Sequence, residues 1–132
     1  MLRIRVPRGV EVYEVNGPFF FGAAATFKDT LARVAGKPQV LIVRLRRVPV
    51  LDATALHTLA DVVHRSRADG TLVLLAEVQP QPMTTIRTSS VLEEIGEEHL
   101  CESIEEALAR AAEEVETRRL LRVTGSQEAV RQ

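Results

Sequence analysis

Two aliphatic runs in the sequence are typical of strands that are buried on both faces. They read QVLIVRL at residues 39–45 and TLVLLA at residues 71–76, and each has the length of a strand rather than a helix. Stretches with helical spacing of apolar residues lie between and after them. Strands that alternate with helices are joined by right-handed crossovers and form a largely parallel sheet. The runs therefore predict an α/β domain.

The N-terminal part of the chain contains a hairpin signal. Residues 10–21 read VEVYEVNGPFFF, with two β-prone runs around Asn16-Gly17, a pair that tolerates positive φ. Apolar residues then recur at helical spacing over residues 23–35. We therefore expect a mixed, mostly parallel sheet with an N-terminal hairpin, together with about four helices.

Capping signals mark the later helices. Asp52 precedes a helical pattern that ends at Gly70. Ser103 and Glu106 form an S-x-x-E capping box before the last helical pattern. Two weaker elements are predicted between these helices, a short helix over residues 82–90 and a short edge strand over residues 98–101.

The core is predicted to be aliphatic, because aromatic residues make up 4% of the chain and tryptophan is absent. We expect one domain over residues 5–118 and a polar, frayed tail over residues 119–132. The two aliphatic runs and the apolar stripe of the helix between them predict one continuous buried cluster. Its predicted members are Leu41, Val43, Leu56, Val63, Leu72 and Leu74.

Charge and composition exclude several classes of function. With 17 basic and 18 acidic side chains, the chain lacks the strongly basic character that is usual in nucleic-acid-binding proteins. The sequence has neither the apolar length of a membrane helix nor a signal-peptide pattern at MLRIRVPRGV. A single cysteine fits a reducing compartment. We therefore expect a soluble, intracellular chain that does not insert into a membrane or bind nucleic acid.

Enzyme and metal motifs are not found in the sequence. Its glycines are isolated, so no phosphate-binding glycine-rich loop is present, and there is no G-x-S-x-G motif. His57 and His64 lie about 10.5 Å apart along a helix, too far to share one metal ion. His99 and Cys101 are at most half of a metal site. We predict no catalytic residues, no metal ligands and no enzymatic activity.

The segment RLRRVPVLDATALH at residues 44–57 is the best candidate for a binding site. It places small residues at a helix N-terminus, where backbone N–H groups and the helix dipole favour anions. The arginines just before it supply positive charge. In the alternative interpretation, Asp52 is only a helix cap and the arginines are only solvated. The candidate anion- and partner-binding residues are Arg46, Arg47, Asp52, Ala53 and Thr54.

The segment VPVLDATALHTL resembles the signature loop of STAS domains, a family named after sulfate transporters and anti-sigma-factor antagonists. The resemblance covers about residues 5–115. PRGVEVYEVNGPFFFGAAATF is similar to the opening hairpin and first helix of the STAS domains of bacterial SulP-family permeases. TLVLLAEVQPQP and IGEEHLCESIEEALARA are similar to the later strands and last helix of those domains. The Phe19-Phe20-Phe21 run points to the transporter branch rather than the antagonist branch.

The resemblance implies a STAS fold and a non-enzymatic regulatory domain of a SulP-type sulfate or anion transporter. Such a domain lies on the cytoplasmic side of the inner membrane. Its implied partners are the membrane domain of the parent transporter and a cytosolic regulatory protein. No resident cofactor is implied, although family members that bind guanine nucleotides suggest weak nucleotide binding near Asp52. In the antagonist branch a phosphorylated serine follows the loop aspartate; here that residue is Ala53, and Thr54 stands one place later.

Two other functions remain open at this stage. The chain could be a stand-alone STAS protein that binds an anti-sigma kinase-like partner, or a small enzyme with an unrecognised site. The opening residues Arg3-Ile4-Arg5 are typical of the middle of a segment. We therefore expect that Met1 is not the natural start. A natural reading frame that continues upstream of Met1 into membrane spans would favour the transporter domain, whereas a natural start at Met1 would favour the stand-alone protein.

Overall fold

The computed structural model describes residues 6–16 and 37–131 of the chain. Within this range four strands form one sheet in the order β1-β2-β3-β4, and all three pairings are parallel. The predicted α/β alternation is thus confirmed. The second arm of the predicted hairpin and the predicted helix over residues 23–35 lie outside the described residues. The strands are β1 (Val10–Asn16), β2 (Val40–Arg47), β3 (Leu72–Ala76) and β4 (Leu100–Cys101).

Four α-helices are present in the described residues. They are α1 (Ala53–Ala68), α2 (Pro80–Arg87), α3 (Val91–Ile95) and α4 (Ile104–Arg131), with a 3-10 helix (Glu97–His99) before β4. Helices α1, α2 and α3 pack on one face of the sheet, and α4 packs on the other. The predicted short helix and edge strand are confirmed as α2 and β4.

The buried side chains form two clusters, one on each face of the sheet. Leu41, Val43 and Val63 belong to the cluster under α1, whereas Leu74 is completely buried in the cluster under α4. The prediction of one continuous cluster is therefore wrong. Successive side chains of a strand point to opposite faces, so a run that is apolar throughout supplies both cores. Two other predicted members are only partly buried: Leu56 packs against the cluster under α1, and Leu72 packs against the cluster under α4.

Local capping interactions agree with the sequence signals. The Asp52 carboxylate accepts a hydrogen bond from the N–H of Ala55 at 2.8 Å and caps α1. Ser103 Oγ accepts from the N–H of Glu106 at 3.1 Å, while the Glu106 carboxylate accepts from the N–H of Glu102 at 3.0 Å. These contacts satisfy backbone donors that have no partner inside their own helix.

The last helix continues through residues 119–131, for which the sequence predicts a frayed tail. Charged pairs at helical spacing support the helix just before this segment. Arg118 Nε lies 3.5 Å from Glu114 Oε1, and Arg119 Nη2 lies 2.6 Å from Glu116 Oε1. Such pairs at i,i+3 and i,i+4 stabilise a solvated helix. Polar composition alone did not distinguish this helix from a disordered tail.

Candidate functional site

The loop between β2 and α1 lies at the carboxyl edge of the sheet, where ligand sites of parallel α/β folds are usually found. Val48 and Leu51 are buried and anchor the loop in the core. Val50 between them is 60% exposed. All five sequence-predicted site residues belong to the loop and its flanking ends, and each is exposed: Arg46, Arg47, Asp52, Ala53 and Thr54.

The start of α1 offers backbone donors to solvent. Asp52 satisfies the N–H of Ala55, and the Asp52 carbonyl oxygen accepts from the N–H of Leu56 at 2.9 Å. The N–H groups of Ala53 and Thr54 have no acceptor among the residues that the structure describes. Neither side chain is large enough to screen these donors. The helix start can therefore accept a carbonyl, carboxylate or phosphate oxygen from a partner.

The two candidate arginines bind a carboxylate of the neighbouring strand. Arg46 Nε donates to Glu14 Oε1 at 2.5 Å, and Arg47 Nε lies 3.3 Å from the same oxygen. Glu14 is on β1, which is paired with β2. The positive charge that the sequence places beside the loop is thus partly offset within the domain. An incoming anion would compete with Glu14 for both guanidinium groups.

The pairing changes the acid–base behaviour of Glu14. The hydrogen bond from Arg46 holds the pKa of Glu14 below its ordinary value, against the opposing effect of desolvation. The positive charges of Arg46, Arg47 and Arg44 lower this pKa further. Because the folded-state pKa is lowered, the interaction stabilises the fold at neutral pH and is lost as the pH falls through that pKa.

We expect the substitution Glu14→Gln to reduce stability at pH 7 and to have a diminishing effect in acid. The difference in unfolding free energy from the wild type should shrink as the pH falls below 4.5, the ordinary pKa of this carboxyl group. Urea unfolding between pH 7 and pH 3 measures this difference. Glu11→Gln on the same strand is the matched control, because Glu11 is exposed. A difference for Glu14→Gln that is constant across this range would contradict the assignment.

Two glutamines that sequence reasoning did not identify hold the loop in place. Gln79 Nε2 donates to the carbonyl oxygen of Arg46 at 2.8 Å. Gln81 Oε1 accepts from the N–H of Leu51 at 2.8 Å. Both residues belong to the segment EVQPQP after β3 and bind backbone atoms about 30 residues earlier in the chain. The loop is therefore braced at both ends by the N-cap residue and the first turn of α2. No local sequence pattern predicts these contacts, because both partners lie about 30 residues earlier in the chain.

Glu77 connects the carboxyl edge of the sheet to α4. Its backbone has φ of 58°, a conformation that is uncommon for residues other than glycine. Its Oε1 atom accepts from Arg44 Nη2 at 2.9 Å and from the N–H of Ile104 at 3.1 Å. Both charged side chains of this pair are largely buried, with 13% of Arg44 and 21% of Glu77 exposed. One carboxylate thus holds β2 and the first residue of α4 together.

The histidines and the cysteine are not assembled into a site. Within residues 6–16 and 37–131, no group of three or more His, Cys, Asp or Glu side chains is arranged to hold a metal ion. His64 Nδ1 lies 3.7 Å from Glu94 Oε1, and His99 Nδ1 contacts the carbonyl oxygen of Ile95. Cys101 is buried, and burial raises the pKa of its thiol. A raised pKa disfavours the reactive thiolate.

The chain is a small α/β domain with a parallel sheet. At the carboxyl edge of this sheet, the start of α1 is exposed, and side chains of Gln79 and Gln81 hold the loop that precedes it. The family model described as "STAS domain" matches residues 1–107. The chain therefore belongs to the STAS domain family, as its signature-like loop indicated.

Sequence and structural relatives come from sulfate transporters. Over 100 residues, the chain is 26% identical to the putative sulfate transporter YvdB of Bacillus subtilis (strain 168); this is 75% of the chain but 19% of that relative's length. A crystal structure of a sulfate transporter family protein from Wolinella succinogenes is 42% identical, with a TM-score of 0.80. The match covers 86% of this chain and 93% of that one.

A SulP transporter STAS domain from Vibrio cholerae is 32% identical, with a TM-score of 0.78; the match covers 86% of this chain and 88% of that chain. The chain is thus a STAS domain whose relatives belong to sulfate transporters of the SulP family. No helix in the part of the chain that the structure describes has the length and apolar character needed to cross a membrane.

Proposed function

We propose that the chain is the cytoplasmic regulatory domain of a SulP-type sulfate or anion transporter and that it acts by binding rather than by catalysis. The observation that carries the proposal is the exposed loop between β2 and α1 in a domain that is similar, over most of its length, to STAS domains of sulfate transporters. The partner is the membrane domain of the parent transporter. A cytosolic regulatory protein is the second partner class in this proposal.

The chemistry of the loop suits protein recognition. Val50 supplies an exposed apolar side chain, and the start of α1 supplies backbone N–H donors beside it. Apolar contact surrounded by directional hydrogen bonds is the usual composition of a protein interface. Bracing by Gln79 and Gln81 keeps the loop in one conformation, so little conformational entropy is lost on binding.

Residue 53 distinguishes this proposal from a stand-alone antagonist. The position after the loop aspartate is alanine, which has no hydroxyl group to phosphorylate. Thr54 is exposed one position later, but the next residue of a helix points about 100° away around the axis. A kinase whose active site recognises a hydroxyl group at position 53 would find the hydroxyl of Thr54 pointing in a different direction. The loop is therefore proposed to bind its partner without a phosphorylation switch.

Weak anion binding is proposed at the same place, without a resident cofactor. The N–H groups of Ala53 and Thr54 would donate to a phosphate oxygen, with Arg46 and Arg47 nearby in sequence. Competition from Glu14 for both arginines and the adjacent Asp52 carboxylate should keep the affinity low.

A photo-crosslinking experiment tests the proposed surface in the full-length transporter that contains this domain. A photoreactive amino acid at position 50 is expected to crosslink to the membrane domain, because Val50 is exposed on the loop. The same probe at position 113, on the solvent side of α4, is the control and should give no such crosslink. Mass spectrometry of the crosslinked peptides identifies the partner segment.

Two outcomes would overturn the proposal. The first is crosslinking to the membrane domain from position 113 but not from position 50. The second is efficient phosphorylation of Thr54 by an anti-sigma-type kinase, with crosslinks from position 50 to that kinase. That result would instead assign the domain to the stand-alone class of STAS proteins.

A further inference from the structure

The segment between β3 and α2 contacts parts of the molecule that lie on opposite faces of the sheet. We call residues 77–81 the connector; it contains the N-cap residue and the first two residues of α2. Gln79 and Gln81 hold the backbone of the β2–α1 loop, whereas Glu77 binds the start of α4. The loop packs in the cluster under α1, so the connector joins two elements that do not share a core cluster.

Glu77 is attached to the start of α4 by its side chain and by its backbone. Its Oε1 atom accepts a hydrogen bond from the N–H of Ile104 at 3.1 Å and another from Arg44 Nη2 at 2.9 Å. Its own N–H donates to the carbonyl oxygen of Cys101 at 3.0 Å, in the strand that leads into α4. The attachment of α4 to this edge of the sheet therefore depends on the conformation of Glu77.

The positive φ of Glu77 directs its side chain to α4. Along β3 the side chains alternate between faces, with Leu75 in the cluster under α1 and Ala76 in the cluster under α4. A regular strand would point residue 77 back to the α1 face. With φ of 58° its carboxylate instead reaches Ile104, and Val78 packs against the cluster under α1. A residue other than glycine keeps such a conformation only where surrounding contacts hold it.

We propose that the connector is a two-state element that couples the β2–α1 loop to the start of α4. In the state that the structure shows, both glutamines hold the loop and Glu77 keeps its positive φ. When the loop moves, both glutamines move with it, the backbone at residue 77 relaxes to a negative φ, and its carboxylate leaves Ile104. Loss of the Glu77 contact loosens the loop in turn, because a coupling free energy between two sites is reciprocal.

This inference deepens the proposed function and rests on it in one respect, namely that a partner binds the loop. Such a partner would meet the exposed side chain of Val50 and the start of α1. A displacement of the loop on binding would then pass through the connector to the other face of the sheet. The coupling itself is a property of the chain alone, so it can be measured without a partner.

Hydrogen–deuterium exchange of the ¹⁵N-labelled chain, followed by NMR, tests the coupling in both directions. Gln81→Ala removes a contact to the loop, and we expect the amide of Ile104 to exchange about fivefold faster or more. Glu77→Ala removes the contact to α4, and the amide of Leu51 is also expected to exchange faster. Rates are taken relative to the amide of the buried residue Leu74, which reports opening of the whole fold.

Thr88→Ala is the matched control, because Thr88 is exposed at the end of α2 and its hydroxyl donates to carbonyl oxygens of the same helix. Both amides should keep their rates in this variant. A ¹⁵N spectrum checks that each variant is folded; if Glu77→Ala is unfolded, Glu77→Gln takes its place with a smaller change of the same sign. Two results would overturn the inference: an unchanged rate at Ile104 in Gln81→Ala, or a change there no larger than that at Leu74.

The coupling and the proposed function can fail separately. Crosslinks from position 50 without coupled exchange would show that the loop binds a partner but does not act on α4, which overturns this inference alone. Coupled exchange without such crosslinks would support the two-state connector and count against the proposed partner.

Discussion

Truncation of Leu74 to alanine is expected to lower the free energy of unfolding by about 2–5 kcal/mol. Leu74 is completely buried in the middle of β3 and packs in the cluster under α4. Removing most of its side chain loses apolar burial and leaves a cavity that rigid strands on both sides cannot close. Urea unfolding followed by circular dichroism measures the change in midpoint.

Leu121→Ala is the matched control for this prediction. Leu121 is 66% exposed in the C-terminal half of α4, so its truncation should change stability by less than about 0.5 kcal/mol. Leu59→Ala tests the other face of the sheet, because Leu59 is completely buried in the cluster under α1. If the two clusters are separate, the effects of Leu74→Ala and Leu59→Ala should add to within about 0.5 kcal/mol. An unchanged midpoint for Leu74→Ala would contradict the assignment of the core.

Glu77→Ala is expected to destabilise the domain by about 1–3 kcal/mol, although only one short side chain is removed. The substitution leaves the largely buried guanidinium of Arg44 and the N–H of Ile104 without their shared acceptor. Arg44 Nε is already buried without a partner, so the loss of Glu77 would leave this guanidinium group with a second unsatisfied donor. Alanine also keeps the unfavourable positive φ that glycine would relieve.

Two further variants separate the contributions at Glu77. Glu77→Gln retains an oxygen acceptor for Ile104 but removes the charge opposite Arg44, so a smaller loss is expected. Glu105→Ala removes an exposed carboxylate from the first turn of α4 and should be close to neutral. Urea unfolding at pH 7 compares all three variants with the wild type. Equal stabilities of Glu77→Ala and the wild type would show that this carboxylate does not hold α4 to the sheet.

The loop at the candidate site was recognisable in the sequence, but its electrostatics were not. A buried strand followed by an aspartate and small residues correctly indicated an exposed helix start capped by Asp52. The same pattern led us to expect arginines that are available to an anion. Their acceptor, Glu14, lies 32 residues before Arg46, on a strand whose pairing with β2 no local pattern specifies. The arginines are therefore partly neutralised within the domain.

The sequence alone was sufficient for features that depend on neighbouring residues. Two aliphatic runs indicated the central strands, and the signals at Asp52 and Ser103 marked helix starts, because strand burial and capping act over a few residues. Tertiary structure decided how these elements meet. It divided the core between two faces of the sheet, and it brought Gln79, Gln81 and Glu77 to partners about 30 residues away in sequence. Those contacts depend on the register and order of parallel strands, which are set by packing of the whole chain and not by any local pattern.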